Sequence, residues 1–130
     1  MTAEAYQFFE TNEHYVDRAK AVTQLGKAYQ KKLDYEKAIA YVEQGLKASI
    51  DLENIEMELS NRLLITRLLG NLGNVEKVLE QGMYILTKES SLGTNVVTAE
   101  TNYVIGANLI LDGQLKRGIS FLKNSINENK

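Results

Sequence analysis

The stretch Leu25-Gly26-Lys27-Ala28-Tyr29-Gln30-Lys31-Lys32-Leu33-Asp34-Tyr35-Glu36-Lys37-Ala38-Ile39-Ala40-Tyr41 decides the fold. Ahead of its centre, Val22, Leu25, Tyr29 and Leu33 carry apolar groups at helical spacing. Beyond it, Ala38, Ile39, Val42 and Leu46 do the same for a second helix. Asp34 stands where an N-cap is needed, offering a carboxylate to the orphan backbone N–H groups of that helix. The spacing therefore predicts a helix, a tight turn and a second helix.

The unit recurs every forty residues, in gapless segments beginning at Ala19, Leu59 and Ala99. Leu33-Asp34-Tyr35-Glu36-Lys37-Ala38-Ile39 aligns with Gly73-Asn74-Val75-Glu76-Lys77-Val78-Leu79 and with Gly113-Gln114-Leu115-Lys116-Arg117-Gly118-Ile119. Leu25, Ile65 and Ile105 coincide, as do Tyr29, Leu69 and Leu109, and Leu46, Leu86 and Ile126. Gly73 and Gly113 supply the left-handed residue that closes a helix. Asn74 repeats the cap of Asp34, whereas Gln114 is a poorer cap and predicts a less firmly started last helix. The second helices are expected to bury Val78, Leu79, Gly82 and Leu86, and then Gly118, Ile119, Leu122 and Ile126. Gly26, Ala38, Gly45, Gly106, Gly118 and Ser125 mark where helices approach closely, because a helical Gly costs about 0.5–1 kcal/mol unless packing needs it.

Leu25-Gly26-Lys27-Ala28-Tyr29 followed by Ala38-Ile39-Ala40-Tyr41 resembles the tetratricopeptide repeat, whose paired helices bear L-G-x-x-Y and A-x-x-x-[FY]. The usual Trp is replaced by Val22, Arg62 and Asn102, and the usual terminal Pro by Ile50, Ser90 and Lys130. The period of forty exceeds the family's value of about thirty-four. The additional residues, around 51–57 and 91–97, are expected to lengthen the first helix of the following pair. The resemblance implies an all-α, right-handed α-solenoid of antiparallel helix pairs in one domain, residues 1–130. It would hold a partial or capping helix over 1–18 and repeats over 19–58, 59–98 and 99–130. Long degenerate repeats of this style resemble those of peptide-pheromone receptors of Gram-positive bacteria. That likeness implies the ligand-sensing or docking part of a bacterial transcriptional regulator, controlling an attached DNA-binding or effector domain.

Composition agrees with a soluble, mostly helical chain. Of 130 residues, 44% are hydrophobic and 25% charged, with a formal net charge of −2. Apolar residues are too plentiful and too evenly spread for disorder. The charge balance argues against direct nucleic-acid contact by this segment. Pro is absent, which long helices joined by Gly or Asn turns tolerate and a β-rich domain seldom does. Cys is absent as well, which excludes disulfides and thiolate chemistry. No apolar run reaches the roughly 18 residues of a membrane span, and no signal peptide is visible. The expected setting is the cytoplasm, with no membrane association.

Run backwards, the forty-residue register puts Ala5-Tyr6 where Gly45-Leu46 lies, late in a second helix, with Phe8 and Phe9 adding apolar surface. Neither end carries an obvious polar capping element of the kind repeat arrays need. Two expectations follow: the chain is a piece of a larger protein, or it completes itself by pairing with a second copy. The plainer alternative makes residues 2–12 a short capping helix.

Nothing in the sequence assembles catalysis. His14 is the lone His, no Ser lies in a nucleophile elbow, and Gly70-Asn71-Leu72-Gly73-Asn74 lacks the Lys of a phosphate loop. Glu53, Glu56 and Glu58 form the densest acidic group and read as a solvated face. No enzyme activity, metal or cofactor is expected. The tetratricopeptide resemblance instead places a concave groove on the first helix of each pair, for a protein or short peptide. Its lining would comprise Lys20, Thr23, Lys27, Gln30 and Lys31, then Ser60, Leu63, Arg67 and Asn71, then Glu100, Tyr103, Ala107, Asn108 and Ile110. Lys20, Lys27 and Arg67 would engage carboxylates, and Leu63, Tyr103 and Ile110 apolar side chains. The alternative function is structural: homodimers or stacked arrays joined through uncapped ends bearing Phe8, Phe9, Leu122 and Ile126.

Overall fold

A computed structural model describes the backbone over residues 3–127 and the side chains over 13–127. The described residues form six helices and no strand: α1 (Ala3–Lys31), α2 (Tyr35–Asp51), α3 (Ile55–Asn71), α4 (Val75–Leu92), α5 (Thr98–Leu111) and α6 (Leu115–Ser125). The all-α class read from the sequence is therefore observed. The chain forms two compact units, Met1–Asn61 and Arg62–Lys130, and the division falls inside α3.

The forty-residue register is built into the backbone. Leu33, Gly73 and Gly113 all adopt left-handed conformations, with φ of 65°, 76° and 85°. At each, the next residue sends its N–H back five positions, as Asp34 to Tyr29 O (3.0 Å), Asn74 to Leu69 O (3.0 Å) and Gln114 to Leu109 O (2.8 Å). This closure satisfies carbonyls that the helix end would orphan. Asp34 and Asn74 then accept the N–H of Lys37 and Lys77, each at 3.2 Å. Gln114 makes no such cap, and its side chain bonds Asp112 and Arg117 instead. The pattern of buried, half-buried and exposed residues along 35–50 recurs residue for residue along 75–90.

Leu33 takes a conformation that disfavours any side chain with a Cβ, and it is 70% exposed, so little packing compensates. Leu33→Gly is expected to stabilise unit 1 by about 0.5–1 kcal/mol, strain relief exceeding the added unfolded-state entropy. A rise in the thermal midpoint checks this, and a fall would show that Leu33 is not strained.

In unit 1, α1 packs on α2 through the residues of the opening motif. A Cβ on Gly26 would strike Val42 and lie 3.1 Å from Ala38 O, so the two helices meet at Gly26 and Ala38. Tyr29 and Tyr41 stack with ring centroids 5.4 Å apart, and Lys32 and Lys37 lie over the Tyr29 ring. In unit 2, α5 packs on α6 and α4 on α5. The α5–α6 crossing repeats the first at register-equivalent Gly106 and Gly118.

Several expectations are corrected. α1 is continuous from Ala3 into the stretch that opens the first repeat, and neither Gly nor Pro occurs between Ala3 and Gly26. His14 is consequently mid-helix and exposed rather than in a first turn. Residues 91–97 do not lengthen α5. Gly93, at φ 68°, ends α4, and the stretch to Val97 is a loop. Leu25 is exposed, although its equivalents Ile65 and Ile105 are buried. Ile119 and Ile126 are also exposed, because among the described residues no helix covers the outer side of α6 and Ile126 lies past its end. Phe8, Phe9, the Ala5-Tyr6 pair and Lys130 lie outside the residues whose side chains are described.

Candidate functional site

In unit 1, the face of α1 bearing Lys20, Thr23 and Gln24 and the first turns of α3 enclose a groove of about 460 Å3. Glu56, Met57, Ser60 and Asn61 form its α3 wall. The groove exists because α3 starts firmly where it does: Asn54 Oδ1 accepts the Met57 N–H at 3.1 Å and caps the helix. Its floor is a hydrogen-bonded chain. Thr23 Oγ1 donates to Asn61 Oδ1 (2.8 Å), Asn61 Nδ2 donates to Ser49 Oγ (2.9 Å), and Ser49 Oγ donates to Gly45 O (2.7 Å). Ser49 and Asn61 are buried. Gly45 makes this possible, since a Cβ there would collide with Thr23 Oγ1 and approach Asn61. Among the described residues no buried side-chain nitrogen or oxygen lacks a hydrogen bond, so the floor is set before any ligand arrives.

Lys20 and Thr23, expected from the sequence, line this groove, as does Ser60. Lys27 and Lys31 are exposed on α1 and Gln30 is half-buried, all outside its lining. Sequence reasoning missed Gln24, Glu56, Met57 and Asn61. Glu56 changes the chemistry, because the groove carries one cation and one carboxylate rather than cations alone. The signal available was Asn54, a cap residue three positions before Met57, which fixes the face that α3 turns to α1.

In unit 2 the expected residues are dispersed. Leu63 is 4% exposed, a core residue with no surface to offer. Arg67 Nη2 lies 3.3 Å from Glu100 Oε2, so this cation already has a carboxylate partner. Asn108 Nδ2 donates to Val104 O at 2.8 Å, and its amide lies against Gly70. Tyr103 and Asn71 are exposed, while Ala107 and Ile110 are half-buried. Ile110 packs where Gly118 leaves room.

Comparisons of the chain with protein-family models, with curated proteins and with solved structures return no match.

A larger cleft in unit 1, about 600 Å3, is lined by Tyr15, Arg18, Val22, Lys47 and Asp51 among others, and holds none of the expected residues. Lys47 pairs with Asp51 across one helical turn at 3.3 Å. Of the acidic group, Glu53 lies between helices at φ 54°, Glu56 is in the groove and Glu58 is buried. Among the described residues no three His, Asp or Glu side chains gather where they could hold a metal ion. No described helix is long and apolar enough to cross a membrane.

Proposed function

We propose that the chain is a protein- or peptide-binding module of the tetratricopeptide type, its antiparallel helix pairs stacked as a right-handed solenoid. Its role is the ligand-sensing or docking part of a bacterial regulator in the cytoplasm. The observation that carries the reading is the unit 1 groove, open, mixed in charge and floored by the fixed Thr23–Asn61–Ser49 chain. Such a surface suits an extended segment of another protein. Lys20 takes a carboxylate, Glu56 a cation or main-chain N–H, and Met57 adapts to an apolar side chain. The recurrence of the left-handed closures at 33, 73 and 113 supports the repeat class.

A specific observation favours a second reading, homotypic assembly. Leu115 and Ile119 on α6 and Ile126 just past its end are 56%, 48% and 68% exposed. Their register equivalents Val75, Leu79 and Leu86 on α4 are partly covered, and α5 packs on α4. A first helix from a second copy would cover α6 in the same way.

One experiment separates the two. Peptides selected from a random library against the full chain are measured by fluorescence anisotropy, with sedimentation run alongside. Peptide binding is expected, weakened at least about tenfold by Lys20→Glu, as the loss of one charge-assisted hydrogen bond requires. If no selected peptide depends on Lys20 or Glu56 and the chain self-associates until Ile119→Lys is introduced, assembly replaces peptide binding as the function.

A further inference from the structure

Unit 2 contains a cleft of about 480 Å3 that the groove reading does not use. Leu86 of α4, Asn95 of the α4–α5 loop, Thr98, Ala99 and Asn102 of α5, and Asn124 and Asn127 at the end of α6 line it. Subtracting eighty from six of those positions gives Tyr15, Arg18, Ala19, Val22, Gln44 and Lys47, all of which line the larger cleft of unit 1. The cleft is thus a recurrent feature of the repeat. At the equivalent positions of the middle repeat stand Arg62 and Tyr84, and the guanidinium sits 4.4 Å from the ring centroid.

The lining of the unit 2 cleft is chemically narrow. Four of its seven residues are Asn, and none is charged or aromatic. Thr98 Oγ1 donates to Glu89 Oε2 (2.6 Å), and Asn102 Nδ2 donates to Thr98 O (3.1 Å). Ser125 Oγ donates to Ala99 O (3.0 Å), tying the end of α6 to the start of α5 beside the opening. The walls are therefore held by the protein itself, while Asn95 and Asn127 are exposed at the mouth.

We infer that this cleft binds the main chain of an extended, uncharged peptide segment from another protein. A primary amide donates and accepts at once, and so pairs with a peptide unit by two hydrogen bonds. Asn95 on the loop and Asn127 just past α6 present such groups at the mouth of one cleft, and Leu86 and Ala99 give an apolar wall for small side chains. Phosphate and nucleic acid require cations or stacking platforms that the lining lacks. Sugars also favour an aromatic face, which is absent here. The site shares no residue with the unit 1 groove, so either can fail without the other.

The test is a titration of the 15N-labelled full chain with an N-acetylated, C-amidated peptide of alternating Gln and Ala, with diacetylchitobiose as the sugar arm. Saturable shifts of the Asn95, Asn124 and Asn127 side-chain amide signals by the peptide alone are expected. Asn95→Ala with Asn127→Gly should weaken binding at least about tenfold. Gly at 127 keeps the backbone at its φ of 59°. Should the double variant not fold, Asn95→Ala alone, at an exposed loop position, decides. Lys20→Glu should leave the titration unchanged. Absence of saturable shifts, shifts with the sugar only, or undiminished affinity in the cleft variants would each overturn the inference.

Discussion

Glu89→Ala is expected to lower the free energy of unfolding by about 3 kcal/mol, the largest loss of any single polar truncation in unit 2. Glu89 is 1% exposed, and both its oxygens are engaged at 2.6 Å, Oε1 by the Val97 N–H and Oε2 by the Thr98 hydroxyl. The carboxylate is the cap of α5. Val97, the residue at the N-cap position, makes no side-chain cap bond of its own. A negative group at a helix N-terminus also opposes the helix dipole favourably. Truncation leaves a buried N–H without an acceptor and a void where the side chain lay. Glu89→Gln should cost less, about 1–2 kcal/mol, because one amide oxygen still accepts while the NH2 faces a donor. Urea unfolding measures both. Equal, small losses would mean that the loop after Gly93 holds α5 without Glu89.

Gly106→Val should destabilise unit 2 by about 3 kcal/mol or more, through overpacking where two backbones meet. A Cβ at Gly106 would lie 2.9 Å from Gly118 O and 2.8 Å from Leu122 Cγ. The reciprocal Cβ at Gly118 would lie 2.9 Å from Gly106 O. A side chain can rotate away, but a helical carbonyl cannot, so α5 and α6 must separate. Helix propensity favours Val over Gly only slightly, far less than the clash costs. A contrasting control is Thr94→Ser, in the exposed stretch after Gly93. A thermal midpoint for Gly106→Val within a degree or two of the parent would show that the helices do not cross at this point.

The two sites differ in how far the sequence exposed them. Lys20, Thr23 and Ser60, which the tetratricopeptide resemblance places on the groove side of their helices, line the unit 1 groove. Glu56, Met57 and Asn61 were missed because the face α3 turns to α1 depends on the Asn54 cap and on the Gly45 gap. Leu63 shows the opposite failure. It holds the same register position as Thr23, yet it is buried where Thr23 is half-buried. The amide-lined cleft was not foreseen at all. Asn95, Asn102, Asn124 and Asn127 are scattered along the chain, and only the packing of α5 on α6 gathers them.

Local interactions explain what the sequence settled unaided. Apolar spacing, the Asp34 and Asn74 caps and the left-handed Gly73 and Gly113 act within a few residues, so helices, turns and the forty-residue register follow from the chain itself. Tertiary structure decided what depends on distant neighbours. Glu89 resembles any exposed helical carboxylate in sequence and becomes the buried cap of α5 only because the loop after Gly93 folds back onto it. Leu25 and Ile119 carry the same apolar signal as Ile65 and Leu79, and their exposure reflects which helix faces receive a partner, a property no local pattern encodes.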